Sequence, residues 1–220
     1  STVQANTEAG FSIATYTEPS GSFSFGHGLG VTPDMFIFKR RDGTENWVVW
    51  HKHFGSPTKN GVYLNSSNGK FTTGSNWLTA IDSDTISITS GQVSSAGTKV
   101  CYAFKGIEGY SKIGKYTGNG STDGTFVYTG FRPAWVLFKC SNTTGNWILH
   151  DTSRNPSNLS NLHLRPNSSN TEDSGTNEAI DILSNGFKHR GVSNNNANSS
   201  DDTYIYMAFA EMPFKYANAR

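Results

Sequence analysis

The sequence is short of charge, of cysteine and of long apolar runs. Charged residues make up 16% and hydrophobic residues 35% of its 220 positions, both below the usual share of a globular domain. No stretch carries the Ala/Leu/Glu/Lys richness of a helical bundle, so long helices are not expected. No apolar run approaches about 18 residues, so no membrane insertion is expected. A basic-then-apolar leader is absent from the first residues, and the chain opens on Ser1 rather than Met. The expectation is a processed or excised piece of something longer. Basic residues number 18 and acidic residues 17, for a net charge of +1. Lys39-Arg40-Arg41 is the nearest thing to a basic patch, and nucleic acid is not an expected partner. The two cysteines, Cys101 and Cys140, make no Cys-x-x-Cys pair and lie in or beside apolar runs. They read as buried thiols; whether they pair is left open by their spacing.

What fills the gap is glycine (23 residues), aromatics (13%) and stretches of Asn, Ser and Thr. This composition favours strands joined by polar turns. The strongest pattern is internal repetition. Shifted by about 100 residues, Pro33-Asp-Met-Phe-Ile-Phe-Lys39 falls on Pro133-Ala-Trp-Val-Leu-Phe-Lys139, and Asn46-Trp47 on Asn146-Trp147. Ile13, Tyr16 and Thr17 fall on Ile113, Tyr116 and Thr117, Gly30 on Gly130, and Leu64 on Leu164. Near the ends Tyr102-Ala-Phe104 corresponds to Met207-Ala-Phe209, so the second copy carries a small insertion. Met35 to Phe38 and Trp135 to Phe138 do not alternate, which predicts strands covered on both faces. Asp84 to Ile88 alternates, with Ile86 and Ile88 inward. The fold class is therefore all-β, an antiparallel β-sandwich or two, from a duplication with one copy at 1–108 and the other at 109–220. Two long polar stretches, Asn155 to Asn177 and Gly191 to Thr203, read as functional or flexible loops.

Several strings are long enough to carry a resemblance. Gly26-His-Gly-Leu-Gly-Val-Thr-Pro-Asp-Met-Phe-Ile-Phe-Lys39, Gly114-Lys-Tyr-Thr-Gly-Asn-Gly120, Tyr128-Thr-Gly-Phe-Arg-Pro-Ala-Trp135 and Met207-Ala-Phe-Ala-Glu-Met-Pro-Phe-Lys215 resemble C-terminal domains of tail-fibre-like and other virion proteins of tailed bacteriophages, marine ones especially. The resemblance implies a virion surface protein, extracellular, on tail or capsid, with a lectin-like or jelly-roll-like sandwich. It also implies a homo-oligomer, since fibres of this class are commonly trimers. Its expected partners are a host cell-surface glycan or other virion proteins. It hands over no site residue.

The search for chemistry gives no catalytic centre, and a non-enzymatic protein is expected. The acids Asp82, Asp84, Glu108, Asp123, Asp151 and Asp181 are scattered and read as turn residues rather than a glycosidase pair. His51 and His53 would face one way on a strand, with His27 and His150 as the only recruits for zinc; no metal site is expected from them. His150-Asp151 with Ser153 makes a poor triad, because neighbours on a strand point to opposite faces. Gly118-Asn-Gly-Ser-Thr-Asp-Gly124 has oxygen donors that suit Ca²⁺ but lacks the Glu of an EF-hand, and a tight hairpin explains it equally. Asn46-Trp47 and Asn146-Trp147 read as structural. Trp77 has no counterpart in the second copy and sits among polar residues, so it is the tryptophan expected to be exposed for binding. Asn76, Tyr63, Asn119 and Asp123 join it as candidate ligand contacts. Two functions follow: a receptor-binding or adhesion module, or a purely structural virion component such as a capsid decoration or fibre-assembly module.

Overall fold

Short runs of β-branched and aromatic residues, punctuated by Gly, Asn and Ser, fold as antiparallel strands closed by turns. The computed structural model describes residues 1–192 and 195–211. They form two compact units: unit 1 is Ser1–Asn65 with Lys70–Gly106, and unit 2 is Ser66–Gly69 with the chain from Ile107 onward. Each unit has its own pair of sheets and its own core, and the fold is an all-β, sandwich-like one.

Unit 1 contains β1 (Thr2–Asn6), β2 (Phe11–Glu18), β3 (Ser22–Gly26), β4 (Met35–Arg40), β5 (Val48–His51), β6 (Asn60–Tyr63), β7 (Phe71–Thr72), β8 (Leu78–Ile81), β9 (Thr85–Thr89) and β10 (Gly97–Phe104). The large sheet runs β1-β2-β10-β4-β5-β6-β7 and the small one β3-β9-β8. Unit 2 contains β11 (Ser111–Thr117), β12 (Phe126–Tyr128), β13 (Pro133–Cys140), β14 (Trp147–Asp151), β15 (Ile180–Leu183), β16 (Gly186–His189) and β17 (Thr203–Ala210). Its sheets run β11-β17-β13-β14 and β12-β16-β15. Taken in order, β2-β10-β4-β5 and β3-β9-β8 repeat as β11-β17-β13-β14 and β12-β16-β15.

Register makes the correspondence residue by residue. Phe36 pairs Trp50 as Val136 pairs His150. Val49 pairs Val62, whereas Leu149 bridges Leu164. The partner of Leu164 is thus Val62 and not Leu64, because two residues have entered between the copies after β5. A shared device fixes this: Asn65 Oδ1 accepts from Trp47 N at 2.9 Å and its Nδ2 donates to Asn46. Asn167 does the same for Trp147 and Asn146. The polar stretch after Asn155 is therefore tied down, with further bridges at Ser160–Ile180 and His163–Asp173.

The non-alternating strand predicted at Met35 to Phe38 is buried at all four positions. Both cysteines are buried free thiols, and burial pushes the Cys101 thiol well above its ordinary range. The cores differ in chemistry. Unit 1 packs Trp50, Trp77 and Ile88, where unit 2 has His150, Ala179 and His189 at the matching places. His150, His163 and His189 are all fully buried. Neither ring nitrogen of His189 has a hydrogen-bond partner among the described residues; its ring lies 4.8 Å from Tyr116 and 5.2 Å from Phe138. Unit 1 instead buries a charge cluster: Lys99 Nζ is 2.8 Å from Glu45 Oε2 and 3.7 Å from Glu18 Oε2. Burial alone would raise the Glu45 carboxyl, but hydrogen bonds from Lys99 and Ser95 outweigh it and hold it at about 2. Glu18, dominated by burial, is raised. Tyr204 stands at the Lys99 position in unit 2. There the buried Lys139 Nζ donates to the carbonyls of Ser67 and Cys140.

Candidate functional site

Only two aromatic side chains are in the exposed class among the described residues, Phe126 at 43% and Tyr128 at 59%. They are two apart on β12, so both stand on the outer face of the small sheet while Val127 points into the core. An exposed aromatic pair forfeits burial that a strand would otherwise gain, and unit 1 does not make that sacrifice. Phe25 pairs Ile86 as Val127 pairs Phe187, which sets Ser24 against Phe126 and Gly26 against Tyr128. In unit 1 the outer face is hydroxyl-lined, with Ser24 Oγ 2.6 Å from Ser87 Oγ. In unit 2 the Ser87 place holds Lys188.

The face is assembled with care for the rings. Phe126 pairs Lys188 and Tyr128 pairs Gly186. A Cβ on Gly186 would collide with the Val127 carbonyl oxygen at 2.2 Å and would press on the Phe126 ring at 3.0 Å, so glycine there lets both the neighbouring backbone and the ring lie close. Charges rim it in a chain. Lys188 Nζ is 2.5 Å from Asp123 Oδ1, Arg190 Nη1 is 3.5 Å from the same oxygen, and Arg190 Nε is 2.5 Å from Asp181 Oδ2. The Lys188 hydrogen bond holds the Asp123 carboxyl below its ordinary range. Lys112 Nζ lies 5.9 Å over the Tyr128 ring. Flat apolar surface bordered by a few charged donors and acceptors is a composition that ligand sites share.

Of the residues expected from sequence, Asp123 lies in this rim. Asn119 supports it from the preceding turn, its Nδ2 donating to the Asp123 carbonyl at 3.0 Å. That Gly/Asn-rich loop is closed by Asn198, whose Oδ1 accepts from Asn119 N and Thr125 N and whose Nδ2 donates to Asn119 and Ser121. The Asp123 carboxylate points away, to Lys188. Trp77 is a correction: it is 0% exposed, its ring at 6.0 Å from both Phe36 and Phe38 and its Nε1 donating to the Asn60 carbonyl at 2.9 Å. The polar residues before it form a turn, and the chain then drives the indole inward, filling volume that the matching Ala179 leaves to histidines. Asn76 is half-buried in that turn. Tyr63 is half-buried on the other unit's larger sheet, stacked on Phe71 at 4.7 Å, so the five residues do not form one site.

The structural reading of the Asn-Trp pairs holds for Trp147, which is buried; Trp47 is half-buried and stacked on Tyr102 at 6.5 Å. His51 ends β5 and His53 lies in a 3-10 turn at Lys52–Phe54, so no strand alternation aligns them, although their rings stack at 5.1 Å. No group of three His, Cys, Asp or Glu among the described residues is placed to hold a metal. Asp151 is engaged by Arg154 at 2.7 Å rather than by His150. Phe126 and Tyr128 were missed, and the signal was there: with the copies offset by 102 in this stretch, Phe-Val-Tyr replaces Ser-Phe-Gly, keeping the inward residue apolar and changing only the outward ones.

No curated protein and no solved structure matches the chain. A family model described as a domain of unknown function (DUF7483) matches residues 1–213, and the chain belongs to that family.

Proposed function

We propose that the chain is a non-enzymatic binding module of a phage virion surface, a tail-fibre receptor-binding or adhesion domain, and that the outer face of β12-β16-β15 holds a host-surface glycan. One observation carries the site: the two exposed aromatics stand where the other copy has serine and glycine. The rings offer their faces to the C–H side of a sugar, and Lys188, Arg190, Asp123 and Asp181 offer hydrogen bonds to its hydroxyls. Placement on a virion is supported by the resemblance of the long strings quoted above, and extracellular exposure follows from it.

The test is a glycan array on the full chain, compared with the F126S/Y128G variant, which carries the residues of unit 1. Binding in the parent and its loss in a variant with unchanged far-UV circular dichroism support the reading. An array without a single saccharide bound, together with pull-down of another virion protein that the variant abolishes, would move the assignment to a structural virion component.

A further inference from the structure

Unit 1 brings together three ionisable side chains that unit 2 lacks as a set. Glu18 ends β2 and pairs Gly97, Lys99 follows on β10, and Glu45 lies in the turn between β4 and β5. The matching places in unit 2 hold Gly118, Tyr204 and Gly145. Lys99 and Glu18 are 0% and 1% exposed, so neither can turn to water.

The two carboxyl groups face Lys99 Nζ in different ways. Glu45 Oε2 accepts a hydrogen bond from it at 2.8 Å. Its other oxygen is engaged by Arg40 and by Ser95 N and Oγ, so Glu45 is held as the carboxylate. That pair already neutralises the ammonium, and Glu18 is not needed for it. Glu18 Oε2 stands 3.7 Å from Nζ, outside hydrogen-bond reach. Ser94 Oγ is 3.3 and 3.1 Å from the two Glu18 oxygens and donates to them. Burial outweighs Lys99 and the serines and favours the neutral acid at Glu18. A neutral carboxyl polarised by a hydroxyl, beside a confined amine and a carboxylate in contact with that amine, is the arrangement of an acyl donor, a nucleophile and a base.

We propose that Lys99 and Glu18 join through an amide bond between Nζ and Cδ, formed by the folded chain itself with Glu45 as proton carrier. Glu45 takes one proton from the ammonium and frees the nitrogen lone pair. The amine adds to Cδ of Glu18, and the carbonyl electron pair moves onto its oxygen. Glu45 hands its proton to the departing hydroxyl, the C–O bond breaks and water leaves. Glu45 then takes the second nitrogen proton and releases it to solvent. The balance is one amide formed, one water and one proton released, with no oxidant or further reactant. The polar cleft lined by Glu45, Ser94 and Ser95 gives the water its way out. Each molecule reacts once, so a slow step suffices. The product ties β2 to β10, neighbours in the large sheet that lie at opposite ends of unit 1 in sequence. A pull on the two ends of unit 1 would then load a covalent bond instead of the β2–β10 ladder. The bond is independent of the aromatic face on unit 2.

The experiment is intact mass spectrometry of the purified full chain under denaturing conditions, followed by a peptide map. The expected result is a chain lighter than its sequence by one water, and a branched peptide joining the Glu18 and Lys99 segments. K99R, which keeps the cation but not the nucleophile, should show the full sequence mass. E45Q should form the bond about a hundredfold more slowly or worse. A folded parent at its full sequence mass would overturn the proposal, and so would a water loss that maps to other residues. Bond formation in E45Q at the parent's rate would overturn the part given to Glu45. The parent's mass and peptide map decide the bond itself even where a variant does not fold.

Discussion

Acid should weaken unit 2 well before its carboxylates titrate. His150 and His189 are buried in the core, and burial, aided at His150 by the nearby His163, lowers both from 6.5 to about 3. A histidine whose folded pKa is depressed binds fewer protons folded than unfolded. Its contribution is therefore intact above the unfolded value and is lost as pH falls below about 6.5, until the folded value is reached. At about 1.4 kcal/mol per pH unit, each histidine withdraws roughly 2 kcal/mol between pH 7 and pH 5, and the pair roughly 4. That is a large part of the 5–15 kcal/mol typical of a domain. The acids Asp123 and Asp173, held low by hydrogen bonds from Lys188 and from Gly175 N respectively, lose their contribution only below about pH 4. The decisive variant is His189→Ile, the residue unit 1 uses at Ile88. Replacing a ring with both nitrogens unpartnered should stabilise at neutral pH by about 1–3 kcal/mol, and the advantage should grow by about 2 kcal/mol at pH 5. Urea denaturation at a series of pH values, with hydrogen exchange to assign the unit, reads this directly. Parallel stability curves for the parent and H189I between pH 7 and pH 5 would refute the argument.

Four further outcomes follow from the packing. Lys99→Met leaves Glu18 buried without a cation and Glu45 with Arg40 alone, and should cost about 3–5 kcal/mol, seen in urea denaturation; adding Glu18→Gln should recover part of it. Trp77→Ala should cost about 3–5 kcal/mol through the cavity it opens, while leaving saccharide binding at the unit 2 face unchanged on the array. Asn198, at φ +56°, should lose about 2–3 kcal/mol as Asn198→Gly, which keeps the backbone conformation but removes the four hydrogen bonds that close the loop at Gly118 to Gly124. Calcium should not shift the melting temperature of the parent, since Asn198 already satisfies that loop.

The strand grammar was legible because it is written in local terms: the alternation at Ile86 and Ile88, the shared Pro33 and Pro133, and the shared Asn-Trp pairs all depend on near neighbours. The register was not fully legible. A single offset hides the two-residue shift that the paired tetrapeptides Asn65-Ser-Ser-Asn68 and Asn167-Ser-Ser-Asn170 reveal. Trp77 misled because exposure is a tertiary property. Its polar neighbours describe the turn, whereas the indole answers to Phe36, Phe38 and Phe71 from distant positions. The aromatic face was missed for a related reason. A Phe-x-Tyr strand looks like core until its inward residue is known, and only the other copy identifies Val127 as that residue.

The tetrapeptide Ser66–Gly69 limits how this chain can be divided. Its Ser67 carbonyl receives both the Gly145 N–H at 2.8 Å and the Lys139 ammonium at 3.2 Å, and burial has already pushed that lysine down to about 8. A C-terminal fragment starting at Ile107 would leave an interior cation with a single acceptor and a turn amide with none. Gene fragments split at the obvious sequence boundary are thus poor stand-ins for unit 2, whose own compact fold takes in Ser66–Gly69.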